Sequence, residues 1–422
     1  MPVLRKYKGK CAVFLKKIPG LSSSERDQLL NKLVRFIEMK NKGLYGDKID
    51  KSIKAFAFRM REEYKVDLTN RMNIELNTIK VEFEVKKFVD RFGKNSVEAI
   101  MALMQGSNRR IKGAKSSVNG KQMSQFMQWK SNFIDEIKLI PGADEALQKG
   151  TLNREIMHEF YRQFKMHGKP SKNATVIKIA EVMHKYDQII VNRLNKAGAR
   201  IDRHPGFLFR MGHDKEKLVD FDAWKKDTKS LLDRKAMERD LEMDYDTFLR
   251  DIFDDLRTGS YIRAQGIDES NVPLGFLSST ANTARKVSMQ NRLKFKNGKS
   301  HFDYLKKYGN EHVQVIDSVI YAFEHSSRNT ALMETFGPNP RNLIQKVLAE
   351  KHREFRKLST KVTNQFVVGE KTGGLPRAID AVLKDLDGSA RVPANEMYAQ
   401  FFRNARIIMN QALLGNILVK SI

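Results

Sequence analysis

Apolar residues recur at three- and four-residue steps along most of this chain, the period that turns one face of an α-helix toward a core. In "SSSERDQLLNKLVRFIEMKNKG", Leu29, Leu33 and Ile37 follow one another, with Leu30 and Val34 beside them. Ser22 and Glu25 precede them at capping-box spacing, and Gly43 can take the left-handed conformation that closes a helix. Ile49, Ile53, Phe56, Met60 and Tyr64 make a second stripe. Residues 71–92 carry two signals. "IKVEFEV" alternates like a strand, whereas Ile79, Phe83 and the run from Val85 to Phe92 fit a helix, and length favours the helix. "SVEAIMALMQG" predicts a shorter helix closed by Gly106.

Helices are predicted at about 122–137, 152–166 and 171–197. The last carries Val176, Ile179, Met183, Ile190 and Leu194 on related faces and stops at Gly198. Asp222 is expected to cap a short helix containing Trp224. The acidic segment 237–257 has Phe248, Leu249, Ile252, Phe253 and Leu256 as its buried stripe. In "RLKFKNGKSHFDYLKKYG" an alternating piece and an Asn-Gly pair suggest a hairpin, followed by a helix capped by Ser300 with Asp303. Helices at about 311–335 and 340–367 flank "GPNP", where Asn339 serves as cap and Pro340 as first helical residue. The last two helices fall at about 375–386 and 393–420. The fold class is therefore mainly α and multi-helix, as two helical domains with one or two short extended segments or a small hairpin.

The pattern suggests three segments. Residues 1–150 form a basic helical region, 151–265 a central helical domain and 266–422 a C-terminal helical domain, with a boundary inside the Gly- and Pro-containing stretch 258–291. The helical period fails between Ser107 and Lys121. "SNRRIKGAKSSVNGK" holds five basic residues and no acid, so 107–121 reads as a flexible basic loop.

Charge changes the picture more than composition does. The chain has 77 Lys+Arg against 50 Asp+Glu, a net +27. Residues 1–130 hold 29 basic and 13 acidic side chains, so +16 lies there and +11 in the rest. Such an excess favours polyanions: nucleic acid, anionic lipid or an acidic partner. Arg109, Arg110, Lys112, Lys115 and Lys121 are the candidate nucleic-acid contacts. No aromatic residue is interleaved with them before Phe126, so phosphate contact is indicated and base stacking is not. Cys11 is the only cysteine, which excludes an intramolecular disulfide and any zinc site with two thiolates. No apolar run reaches the ~18 residues of a spanning helix, and the start of the chain lacks the pattern of a secretory signal.

The segment "GARIDRHPGFLFRMGHDKEKL" places His204 and His213 nine residues apart, with Asp214 beside the second. Pro205-Gly206 and an apolar run separate the two histidines, which is not a metal-ligand spacing. The segment reads as a structural joint. Gly198 ends a helix, Pro205 and Gly206 turn the chain, Phe207 to Met211 run extended and buried, and Asp214 starts the next helix. His325 beside Ser326 lacks a Gly-x-Ser-x-Gly elbow, and "DYD" at 244–246 lacks the later residues of a calcium loop. No catalytic residue, metal ligand or cofactor is assigned.

Two passages, "NKAGARI…GHD…AW" over 195–224 and "RLKFK…FDYLKKYG…SSRNTALMETFGPNP" over 292–340, resemble a segment of the large internal virion proteins of tailed bacteriophages. These multi-domain polyvalent proteins are packed with the genome and ejected with it. "RNARIIMNQALLGNILVKSI" also resembles the apolar helix that follows these motifs in that family. The likeness covers about 170–422. It implies a non-enzymatic, ejection-associated structural protein, with any enzymatic activity in domains absent from this chain. Its implied partners are packaged DNA, other virion proteins, a further chain packing on the C-terminal helix, and the host membrane during ejection. Its implied location is the capsid interior, or the host cytoplasm during assembly. Two other readings compete: a nucleic-acid-binding protein acting in the host cell, and a metal-dependent hydrolase using His204, His213 and Asp214.

Overall fold

The computed structural model of the chain describes residues 74, 76–106, 117–164, 168–199, 201, 207–209, 213–238, 245–258, 283, 287, 293–309, 314–356 and 376–386. The chain divides into two compact units, residues 1–76 and 77–422, and the packing below is that of the second. The helices expected at 22–43, 49–64 and 393–420 lie outside the described residues.

The fold is mainly α and multi-helix. Among the described residues there is no strand, only two isolated antiparallel bridges, Leu232 with Phe295 and His213 with Gly309. Helix α1 covers 76–90, which settles the ambiguous "IKVEFEV" as helix. After it come α2 (Ser96–Gln105), α3 (Val118–Lys138), α4 (Ala143–Lys149), α5 (Asn153–Gln163) and α6 (Ala174–Ala197). Then follow α7 (Phe221–Lys229), α8 (Arg234–Glu238), α9 (Tyr245–Thr258), α10 (Gly298–Tyr308), α11 (Val315–Phe336), α12 (Pro340–Arg356) and α13 (Arg377–Leu386). No helix among the described residues is long and apolar enough to cross a membrane.

The caps show why the helices begin where they do. Ser117 starts α3 by accepting the Gly120 amide at 3.1 Å, and Asn173 starts α6 by accepting those of Thr175 and Val176. Gly106 closes α2 with φ +98°, and a Cβ there would stand 3.1 Å from the Ser117 hydroxyl oxygen, so the two residues touch. Asp220, not Asp222, caps α7. Its extended backbone aims the carboxylate at the Ala223 amide, while Asp222 falls inside the first turn. The Asn297-Gly298 pair makes no hairpin. Asn297 caps α10 by accepting the Ser300 amide, and Phe295 just before it bridges to Leu232 in a distant segment. Pro340 opens α12 and Asn339 accepts the Asn342 amide, as the sequence indicates.

Long-range packing crosses the expected segment boundaries at 150 and 265. Helix α11 lies along both α3 and α6, α10 lies on α5, and α13 lies on α2. The apolar stripes find their complements far away in sequence, which segment-by-segment reading could not pair. Phe323 of α11 meets Phe133 edge-on at 5.4 Å and Trp129 at 6.4 Å, and Tyr186 packs beside them. A second cluster is mostly aliphatic. Val85 and Val89 of α1, Ile100 and Met104 of α2, Leu332 and Phe336 of α11, Ile344 and Val347 of α12, and Ile379 and Leu383 of α13 share it. Outside it an ionic ladder joins α1 to α12: Lys346 to Glu82 (2.6 Å), Glu82 to Lys86 (2.8 Å) and Lys86 to Glu350 (2.8 Å).

Candidate functional site: the joint after the long helix

The joint is built from the end of α6. Gly198 takes φ +117°, and the Gly198 and Ala199 amides reach back to the last carbonyls of the helix. A Cβ at Gly198 would stand 3.1 Å from Pro338, so both the left-handed turn and the close approach require glycine. The Asn195 side chain then holds the exit. Its Oδ1 accepts the Ile201 amide at 2.9 Å and its Nδ2 donates to the Ile201 carbonyl at 3.1 Å.

Phe207, Leu208 and Phe209 are buried, as expected, but they form a bend and turn instead of an extended run. The turn drives the Phe209 ring edge-on into Phe160 at 4.8 Å. The chain returns at His213, whose backbone pairs with Gly309 just past α10. The Asp214 amide donates to the Tyr308 carbonyl at 3.0 Å, and Lys217 Nζ donates to the Gly309 carbonyl at 3.0 Å. Asp214 Oδ1 accepts the Glu216 amide and so starts a single 3-10 turn, Lys215–Lys217. Gly198, His213 and Asp214 therefore sit where the joint is locked; His204, Pro205 and Gly206 lie outside the described residues.

Histidines and phenols meet beside this joint. His301 Nδ1 and the Tyr161 hydroxyl are 2.8 Å apart in the buried seam between α5 and α10, and Phe295 stacks on His301 at 4.3 Å and 10°. Trp224 Nε1 donates to the Tyr304 hydroxyl at 3.3 Å. His213 lies 5.6 Å from the Tyr304 ring. Burial pushes the Tyr161 hydroxyl well above its ordinary range, and the nearby Asp187 charge adds to the effect. Burial also raises Tyr304. The whole His213 residue is half-buried, yet its Nε2 is enclosed with no hydrogen-bond partner among the described residues, and burial pushes the ring down to about 4. At neutral pH both phenols stay protonated and His213 stays neutral, so their chemistry is hydrogen bonding and packing.

Among the described residues, His184 and His325 are also occupied. His184 packs against Phe164 at 4.4 Å, with burial lowering its pKa. His325 stacks on Tyr321 and contacts the Asn329 amide, while Ser326 is buried beside it. Among the described residues no three His, Cys, Asp or Glu side chains gather as a metal site would require.

Of the basic candidates, Lys121 is a correction. It belongs to the first turn of α3, not to a loop. Its Nζ is part-buried and donates to the Glu334 carbonyl at 3.3 Å and the Thr335 hydroxyl at 3.1 Å, capping the end of α11. Burial lowers its pKa despite the Glu334 carboxylate nearby. An amine so committed is not offered to a phosphate. Arg109, Arg110, Lys112 and Lys115 lie outside the described residues. Sequence reading passed over a second group of cations. Lys299, Lys306 and Lys307 stand on one face of α10, and their seven- and eight-residue spacing is legible in "GKSHFDYLKKYG".

The fold thus defines a mainly α, multi-helix protein. A comparison of the chain with known protein families, with curated proteins and with solved structures finds no match in any of the three.

Proposed function

We propose that this chain is a non-enzymatic structural protein of the internal-virion kind, stored with packaged DNA and holding it through sequence-independent phosphate contacts. One observation carries the reading of its partner. With 77 basic and 50 acidic side chains, 27 cations remain without a carboxylate even if every acid is paired. Many described acids are in fact already taken inside the body, among them Glu82, Glu136, Glu334, Asp227, Asp303 and Asp380. The surplus needs a polyanion or small counterions, and a polyanion gains by releasing the latter. The likeness of 195–224 and 292–340 to internal virion proteins supports the location.

Two measurements test the parts separately. Affinity for duplex DNA should fall steeply with salt, as counterion release demands; binding that is absent or insensitive to salt would refute DNA contact. Mass spectrometry of purified virions should find the chain inside the capsid. DNA binding by a chain missing from virions would favour the host-cell reading instead.

A further inference from the structure

Helix α10 has two unlike sides. Its inner side buries His301, Tyr304, Leu305 and Tyr308. Its outer side carries Lys299, Asp303, Lys306 and Lys307, spread over about 12 Å of helix rise. Asp303 is already held by Arg154 through two bonds of 2.9 Å. The Arg154 guanidinium is the main cause of its lowered pKa, and Lys306 and Lys299 add weaker attraction. Three cations therefore share one carboxylate.

The same imbalance continues at the end of α7. Asp227 accepts bonds from Lys307 Nζ at 2.5 Å and from the Tyr308 hydroxyl at 2.7 Å, with Lys226 beside it. Lys296 Nζ donates to the Ser230 carbonyl at 2.7 Å, which brings it to the same helix end. The neighbouring Asp246 is occupied by Lys225 and Lys229. Arg154, Lys226, Lys299, Lys306 and Lys307 thus act on two carboxylates, Asp227 and Asp303, an excess of three positive charges among these seven residues, and Lys296 adds another at the same helix end. Packing fixes the backbone beneath them, so the charges are held close together without a ligand. A solvated surface needs no such concentration, and it costs self-repulsion.

We infer that the outer face of α10 together with the end of α7 is where the folded body meets the phosphate backbone of nucleic acid. The inference rests on the polyanion reading above and gives it an address. The rings of Tyr304 and Tyr308 are buried, so the face offers charge without those rings as a stacking platform. Contacts of this kind follow the backbone and carry no sequence preference.

The test is fluorescence anisotropy on a labelled random-sequence DNA duplex, titrated with the full chain between about 50 and 200 mM salt. The variant Lys226→Gln/Lys296→Gln/Lys299→Gln/Lys306→Gln should flatten the plot of log affinity against log salt by about three units. Its affinity near the middle of that range should fall at least about tenfold. A control with equal charge loss, Lys80→Gln/Lys87→Gln/Lys138→Gln/Lys178→Gln, uses exposed lysines elsewhere and should change the slope by no more than about one unit. Because Lys296 supports a helix end, Lys299→Gln/Lys306→Gln provides a second variant. Neither amine bonds to the body among the described residues, and it should flatten the slope by about two units. Equal losses in face and control variants would overturn the inference in favour of diffuse net charge. So would an unchanged slope in the face variants while the parent chain still binds, and the polyanion reading would then survive. A parent chain that binds phosphatidylserine vesicles but not duplex DNA, or neither, would refute both.

Discussion

In the cluster shared by α1, α2, α11, α12 and α13, the buried side chains are mostly aliphatic and the charges stand outside as a ladder. In the seam that α10 makes with α5 and α7, polar atoms are inside: the Tyr161 hydroxyl on His301, Trp224 on Tyr304. Burial of apolar area has no direction, so the first region can absorb a change of shape by small shifts. Hydrogen bonds do have direction, and each buried polar atom left without one costs the full loss of its water. The seam is therefore the region that fixes how the helices register, and its tolerance should be lower per atom altered.

The comparison breaks most sharply at Gly298. A Cβ there would stand 2.0 Å from the Met157 carbonyl oxygen, and that neighbour is backbone. Gly298→Ala should destabilise the fold by more than about 4 kcal/mol, read by urea or thermal unfolding; a loss below about 1 kcal/mol would mean the seam is as yielding as the aliphatic cluster.

Acid comes next. His213 is pushed down to about 4 in the folded chain, against an unperturbed value of about 6.5. The unfolded chain therefore takes up the proton first. The stability linked to this group is intact above about pH 6.5 and is lost as pH falls toward 4, by roughly 3 kcal/mol in all. The difference in unfolding free energy between the parent and His213→Gln should shift by that order across this window. Carboxylates shared by both chains cancel in the difference, and a constant difference would show that His213 is not enclosed.

A pair of single-group deletions then compares the regions directly. Tyr161→Phe removes one hydroxyl from the seam and should cost about 1–3 kcal/mol. Ile344→Val removes one methylene from the aliphatic cluster and should cost about 0.5–1.5 kcal/mol. Equal costs would erase the proposed contrast. The smallest effect belongs to the ladder. Glu82→Gln breaks both of its lysine pairs, yet should cost no more than about 1 kcal/mol and nearly nothing in high salt, checked by repeating the melt there.

Much of the helical pattern was legible because it is local. Val176, Ile179, Met183, Ile190 and Leu194 lie on the buried side of α6, and Gly198 ends it. What failed was of two kinds. Local competition misplaced caps: Asp220 and Asp222 can both cap α7, and only the backbone conformation selects the first. Asn297-Gly298 carries a hairpin signal, but the helix that follows uses the asparagine as its cap. Tertiary pairing was the other kind. Nothing within "NGKQMSQ" reveals that the end of α11 will lie against Lys121 and take its amine. At the joint, Gly198 and Asp214 could be read from their own neighbours. The enclosure of His213 could not, because Tyr304 and Gly309 come about a hundred residues later.

The contact between Gly106 and Ser117 has a consequence for how the gene can vary. Residues 106 and 117 stand side by side, so the two ends of the ten positions between them meet at a narrow neck. Closing a loop across such a neck depends only weakly on its length, about 0.6 kcal/mol for each doubling. The closure term for a change in the number of residues between 106 and 117 is therefore small. On that term alone, doubling the ten positions to twenty costs the fold only about 0.6 kcal/mol.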